Sequence, residues 1–282
     1  MGTMYANASQ MGALYANGFP YDGRTMTTSK DDTSASFGGA ATAARSMELL
    51  WGTKPAPTRG RKPGMTVERI TAAAVAIADA EGLDALSMRR VADALGVGTM
   101  SLYRYLPGKT ELYELMLDSV MGETGPPAAD PAGWRASLAA FARQSLDGYR
   151  RHPWLLSASL SRGLMGPNQT ASLDALLRRI SGIGLSSGEM MAVVGLVVSY
   201  VQGRARQAAE AAGAEQRSGV SDAQFWTEFA PLLTPHLDPA RFPTLAAVWH
   251  DEELDWADEF EFGLARVLDG IEAFVEGERG RV

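Results

Sequence analysis

A chain of 282 residues with 46% hydrophobic and 21% charged content can bury a sizeable core and belongs with one or two globular domains. It has no cysteine, which excludes disulfide staples, thiolate metal sites and a cysteine nucleophile and suits a reducing cytoplasm. The net charge of -7 argues against a nucleic-acid partner only until charge is read by segment: from Lys54 to Lys109 nine Lys/Arg stand against five Asp/Glu, and from Thr110 to Val282 14 stand against 24. A basic third joined to an acidic remainder is the asymmetry of a small domain that meets DNA and a larger one that does not, ordinary scatter being the plain alternative.

Residues 1–64 are rich in Gly, Ala, Ser, Thr and Asn and carry a near-repeat, Tyr5-Ala6-Asn7 and Tyr15-Ala16-Asn17. They read as a disordered tail, with Met1 and Met26 both compatible with a start, and with a transient helical turn at most over "SMELLW", Ser46 to Trp51. No basic stretch followed by an apolar segment marks a secretory signal. Near the end of the tail Arg59, Arg61 and Lys62 lie on a chain that Pro63 and the glycines keep from becoming helical. Such a segment is either an arm that enters a minor groove beside a reading head or a soluble linker.

Order is expected over residues 65–122. Thr66 is a plausible N-cap, after which Ile70, Ala73, Ala74, Ile77, Ala78 and Glu81 repeat at helical spacing up to Gly82. Ser87 caps a second, short helix whose buried stripe is Val91, Ala92 and Leu95, and Gly96 closes it. A third helix is expected from Thr99 to Leu106, where Pro107-Gly108 breaks it, and a fourth starts near Lys109 with Leu112, Leu115, Met116 and Val120 inward. Two helices joined by about three residues with a glycine form a helix-turn-helix. With Val97, Leu102 and Leu106 facing the core, Thr99, Met100, Ser101, Tyr103, Arg104 and Tyr105 lie on or near the open side. No acidic residue occurs from Thr99 to Lys109, as a phosphate-facing surface requires. The two tyrosines are equally compatible with half-buried packing.

The stretch "SMRRVADALGVGTMSLYRYLPGKTELYELML" resembles the DNA-binding head of the TetR family of bacterial transcriptional repressors. It shares the cap, the Ala-x-x-Leu-Gly-Val turn, the Leu-Tyr of the recognition helix and the aromatic-x-x-x-Lys step into helix four. The resemblance implies base reading by Arg89, Thr99, Met100 and Ser101, and phosphate contacts from Ser87, Tyr103, Tyr105 and Lys109. General chemistry agrees. Arg donates two parallel bonds to a guanine edge, short hydroxyls approach either base type, and Met touches a thymine methyl. The role of Arg104 stays open between a phosphate and an acidic neighbour.

Residues 130–278 read as an all-helical second domain. "SSGE", Ser186 to Glu189, forms a capping box before the apolar run Met190 to Val201, which at twelve residues is short of the ~20 that span a membrane. The last helix repeats apolar residues at Phe260, Leu264, Val267, Leu268, Ile271, Phe274 and Val275. These two helices are either a monomer core or, as the resemblance implies, a two-fold four-helix dimer interface. "RHPWLL", "GPN" and "FEFGLARVLDGIEAF" resemble the tetracycline-repressor-like C-terminal domain. Where that sensor has a drug-binding histidine beyond helix four, this chain has Thr124-Gly125, and His152, His236 and His250 share no helical face at ligand spacing. Metal-bound tetracycline is therefore not the expected effector. Tyr149, His152, Trp154, Met165, Asn168, Met191, Tyr200 and Trp226 are candidates to line an apolar effector pocket, with plain core as the alternative.

No phosphate-binding Gly-rich loop, Gly-x-Ser-x-Gly elbow or metal-ligand cluster occurs, so neither catalysis nor a cofactor nor a metal is expected. The acidic run Asp251 to Glu261 reads as a solvated helix face. The expectation is an all-α, cytoplasmic, homodimeric regulator with a duplex DNA operator and a small-molecule effector as partners and no membrane. The alternative is a helical small-molecule-binding or scaffold protein that does not bind DNA specifically.

Overall fold

The computed structural model describes residues 40–52, 65–125, 132–157, 165–249 and 259–279. Its first segment departs from the expected tail: Ala40–Leu50 is a helix, α1, packed on the helix that ends the head. Eleven residues are too few for a stable isolated helix in water. Docking supplies what propensity does not, because Ser46 and Leu50 are buried and Leu49 packs against the head core. Just past the helix, the Trp51 indole N–H donates to the Met165 carbonyl at 3.2 Å. Arg59, Arg61 and Lys62 lie outside the described residues.

The head follows its caps. α2 (Val67–Glu81) starts where Thr66 Oγ1 accepts the Arg69 N–H at 3.2 Å and ends at Gly82. After a 3-10 turn at Leu83–Ala85 comes α3 (Met88–Leu95), capped by Ser87, whose hydroxyl accepts the Arg90 N–H at 3.1 Å. α4 is shorter than expected, spanning Thr99–Leu102 rather than continuing to Leu106. Beyond it the Tyr105 and Leu106 N–H groups both donate to the Leu102 carbonyl, a tightened turn that lets Leu102 and Leu106 point into the same core. α5 (Lys109–Gly122) closes the unit. Ile70, Ala74, Leu86, Val91, Leu102, Leu106, Leu112 and Met116 form its core, and Trp154, from the second half of the chain, packs into it.

The body consists of α6 (Trp134–Arg151), a 3-10 turn (Pro153–Ser157), α7 (Pro167–Ile180), α8 (Ser187–Ser218), α9 (Asp222–Leu233), α10 (Pro243–Trp249) and α11 (Glu259–Arg279). No strand occurs among the described residues, as the all-α reading requires. The capping box forms: Glu189 Oε2 accepts the Ser186 N–H at 2.7 Å and Ser186 Oγ accepts the Glu189 N–H at 3.4 Å. α8 extends far beyond the apolar run, to 32 residues, and stops at Gly219, which has φ 71°. No helix among the described residues is long and apolar enough to cross a membrane.

α6 lies along α8, and α7 and α11 pack on both. Leu138, Phe141, Ile180, Val193, Val197, Val201, Leu264, Leu268 and Ile271 fill the space between them. The apolar stripe of the last helix therefore serves the protomer's own core first. Leu264, Leu268, Ile271 and Val275 are buried within a single chain, while Leu196 of α8 and Phe262 and Phe274 of α11 are exposed.

Candidate nucleic-acid interface and effector domain

The outward position of α4 is built by two local events. Gly96 adopts φ 67°, ψ 33°, the left-handed cap that a side chain resists, and the Val97 N–H returns to the Ala92 carbonyl at 3.0 Å. The chain reverses in three residues, and the Ser101 N–H closes the first turn of α4 on the Gly98 carbonyl at 2.8 Å. Fully buried Leu102 then fixes which side of α4 faces inward.

Of the expected base-reading residues, Arg89 and Met100 are exposed, Met100 at 78%, and Thr99 and Ser101 are half-buried at the edge of the same surface. The Arg89 guanidinium stands 3.9 Å from Asp93 one turn on, an exposed pair worth little in water and easily exchanged for a nucleic-acid acceptor. Ser87, Tyr103, Arg104 and Lys109 are exposed. Tyr105 is half-buried against the head core, so its ring is partly a packing group and only its rim faces out. The Ser87 hydroxyl spends its acceptor on the Arg90 N–H and can still donate its proton outward.

Two acidic side chains border this surface, and sequence spacing gave neither of them a partner. Glu81 pairs bidentately with Arg90, tying α2 to α3 and removing Arg90 from the outward row; the Arg90 hydrogen bond holds the Glu81 carboxyl below its usual range. Glu111, buried in the first turn of α5, places Oε2 only 3.4 Å from where a Cβ on Gly108 would sit. With a carboxyl side chain in that turn, the Lys109 ammonium is the attractive group for phosphate there.

Residues 70–116 match the bacterial regulatory proteins, tetR family, and residues 126–275 match the tetracyclin repressor-like C-terminal domain. The HTH-type transcriptional repressor DrrR1 of Streptomyces coeruleorubidus is 46% identical over 243 residues, covering 86% of this chain and 90% of that protein. The chain belongs to the TetR family. It is a DNA-binding transcriptional regulator with a helix-turn-helix head, and regulators of this family are dimers. The class A tetracycline repressor of transposon 1721 from Escherichia coli is 27% identical over 208 residues, or 71% of this chain and 87% of that one. The Streptomyces coelicolor TetR family protein ActR in complex with actinorhodin matches with a TM-score of 0.62 at 29% identity, covering 75% of this chain and 97% of ActR.

In this TetR-family body the eight candidate pocket residues fall into different settings. Tyr149, Met191 and Tyr200 belong to the packing of α6, α8 and α11. The Tyr149 hydroxyl accepts the Gln202 amide N–H at 3.0 Å, and burial pushes its ionisation up against the opposing effects of Gln202 and Arg206. The Tyr200 hydroxyl donates to the Phe260 carbonyl at 2.8 Å, and its ring lies where a Cβ on Gly263 would overlap it. Trp226 sits elsewhere, exposed on α9 with Phe225, Phe229 and Trp249 as its ring partners. It is not in ring contact with any of the other seven.

His152, Trp154, Asn168 and Met165 mark a joint between head and body instead. Asp79 of α2 faces His152 Nδ1 at 2.8 Å and accepts the Trp154 indole N–H at 2.7 Å. Asp118 of α5 accepts the backbone N–H groups of Asn168 and Gln169 at 3.1 and 3.0 Å, so a head carboxylate caps the body helix α7 across the joint. The approach requires glycine: a Cβ on Gly166 would overlap the Asp118 carboxylate, and one on Gly122 would overlap Asn168. Sequence spacing gave no signal for this contact, because its partners stand 50 residues apart.

Proposed function

We propose that this regulator is a cytoplasmic repressor that binds a palindromic operator as a homodimer and is released by a small, largely apolar effector. The observation that carries the DNA half is the outward row on α3, on α4 and the turn after it, and at the start of α5: two guanidinium groups, Arg89 and Arg104, short hydroxyls, a thioether, tyrosine rims and an ammonium above a fully buried leucine floor. Arg89, Thr99, Met100 and Ser101 read base edges, and Ser87, Tyr103, Tyr105 and Lys109 hold phosphates. Arg59, Arg61 and Lys62 remain the candidate minor-groove arm.

Dimerisation uses the outer faces of α8 and α11, where Leu196, Phe262 and Phe274 are exposed while the inner stripes are already committed. The effector enters the body beside Tyr149, Met191 and Tyr200. The ActR complex with actinorhodin supports a small-molecule ligand for a protein of this fold.

Titration of the purified chain into the duplex adjoining its own gene, and into random duplex of equal length, tests the reading. Specific binding at physiological salt should exceed random binding by about 10³-fold or more. Equal affinity for both duplexes would leave a helical small-molecule binder that does not read DNA. Effector release is tested by the same titration with actinorhodin as the first probe, whose affinity must fall by the same factor when operator is bound.

A further inference from the structure

His152 is a buried polar group at the joint between head and body, away from the outward row on α3 and α4. It follows the last residue of α6, is 6% exposed, and presents both ring nitrogens to carboxylates of the head: Nδ1 lies 2.8 Å from Asp79 Oδ1 and Nε2 lies 3.0 Å from Glu123 Oε2. A neutral imidazole carries one proton, so one nitrogen would turn its lone pair on a carboxylate oxygen. The ring is buried while the Asp79 and Glu123 side chains are 30% and 35% exposed, so water softens that repulsion without removing it, whereas an imidazolium donates to both.

We propose that His152 is an imidazolium when the head is docked on the body, so that one proton links head placement, and with it operator affinity, to pH. The charges around the ring balance in that form. Asp79 has no cation other than His152 within ion-pair distance among the described residues, and Glu123 is shared between His152 and Arg151. From α5, Tyr113 sets its ring edge-on to Trp154 with centroids 6.2 Å apart, and Glu114 lies near enough to Tyr113 to affect its ionisation. From α8, Arg206 donates to the Leu156 carbonyl of the adjoining 3-10 turn at 3.3 Å. Glu123 fits the assignment: burial pushes its carboxyl up, but His152 and Arg151 together bring it below the usual range.

Loss of the proton forces one of the two carboxylates to open. Asp79 rides on α2 and Glu123 follows α5, the helices that carry the helix-turn-helix, so opening removes one tie of the joint and leaves the head held by Trp154 on Asp79, Arg151 on Glu123 and the Asp118 cap of α7. Nitrogen-15 NMR of the histidine-labelled full-length dimer, which has three histidines to resolve, reads the proton count without DNA. The expected result is a doubly protonated His152 at pH 7 that gives up one proton on the alkaline side. In Glu123→Gln, the amide N–H can donate to Nε2, so His152 should be neutral and singly protonated at pH 7 with the fold retained. A second arm rests on the repressor reading: wild-type operator affinity should change with pH more steeply than that of Glu123→Gln, by up to about a hundredfold per pH unit, the limit for two linked protons, one from each protomer of the dimer. A singly protonated His152 in the folded wild type at pH 7 would overturn the proposal, as would superimposable pH profiles for two proteins that both bind operator. Absence of operator binding in both proteins would count against the repressor reading alone and leave the NMR result to decide.

Discussion

Head and body are both helical, yet they are held by different means. In the head, Ser87, Gly96 and Thr66 act within four residues of themselves, and the core lies between helices joined by the shortest of links. In the body the decisive contacts are remote. Arg135 pairs with Asp269 and Glu272, Arg143 binds Glu261 through two bonds of 2.6 Å, and Arg204 reaches Glu259 at 2.5 Å, each tying α6 or α8 to a helix far along the chain. The lesson is that a reading head is prefabricated locally, whereas a sensing domain must be assembled, and the joint at His152 and Asp118 is where assembly in one reaches the other.

The largest break in that contrast should come from the body core. Leu264→Glu buries an unpaired charge at a side chain 1% exposed and is expected to cost more than about 4 kcal/mol and unfold the body. Phe274→Glu, on the exposed side of the same helix, should leave the melting temperature of the protomer nearly unchanged but dissociate the dimer. Calorimetry with light scattering separates the two. A melting temperature for Leu264→Glu equal to that of Phe274→Glu would show that the stripe faces a partner instead of the protomer's own core.

Next is the joint. Asp118→Ala removes the cap of α7 and leaves the Asn168 and Gln169 N–H groups without their acceptor, which should cost about 1 to 3 kcal/mol in denaturant unfolding. The head's own cap, Ser87→Ala, should cost about 1 kcal/mol. If Asp118→Ala proves the milder of the two, the head and body are less coupled than the cap implies.

The DNA surface should show a split of similar size with no stability change. Arg89→Ala is expected to lose about 1 to 3 kcal/mol and relax preference at one operator position, while Lys109→Ala weakens all sequences alike and lowers the salt slope by about one unit. Identical losses on operator and random duplex for both variants would remove Arg89 from base reading.

Acid should act on the body through its remote pairs. The Arg143 hydrogen bond holds Glu261 below the usual carboxylate range, and Glu123 is lowered as well. A depressed carboxyl contributes stability that is complete above the unfolded value near about 4.3 and is lost as pH falls through the lower folded value. Melting temperature should therefore drop below about pH 4, and less steeply in Glu261→Gln. The smallest effect is expected at Tyr113, whose hydroxyl is buried without a hydrogen-bond partner among the described residues and whose ionisation burial pushes up to about 12. Tyr113→Phe should leave the melting temperature unchanged or raise it slightly, because only an unsatisfied group is lost.

What the sequence determined by itself is whatever depends on near neighbours. The caps at Thr66, Ser87 and Ser186, the left-handed Gly96 and the inward set Ile70, Val91, Leu102, Leu112 and Met116 could be read because helix periodicity and capping act over three or four residues. The tertiary structure decided the rest. Ala40–Leu50 became a helix only because α5 offers it a surface, and α4 gave way after Leu102 to a tighter turn in which the Tyr105 and Leu106 N–H groups share one carbonyl. Leu264 and Ile271 went to their own protomer's core, since α6 and α8 cover that stripe. His152, Trp154 and Asn168, which an apolar-pocket reading had grouped by residue type, were claimed by Asp79, Glu123 and Asp118 of the head. A buried polar group goes where its partner is, and no spacing within one helix states where another helix will bring that partner.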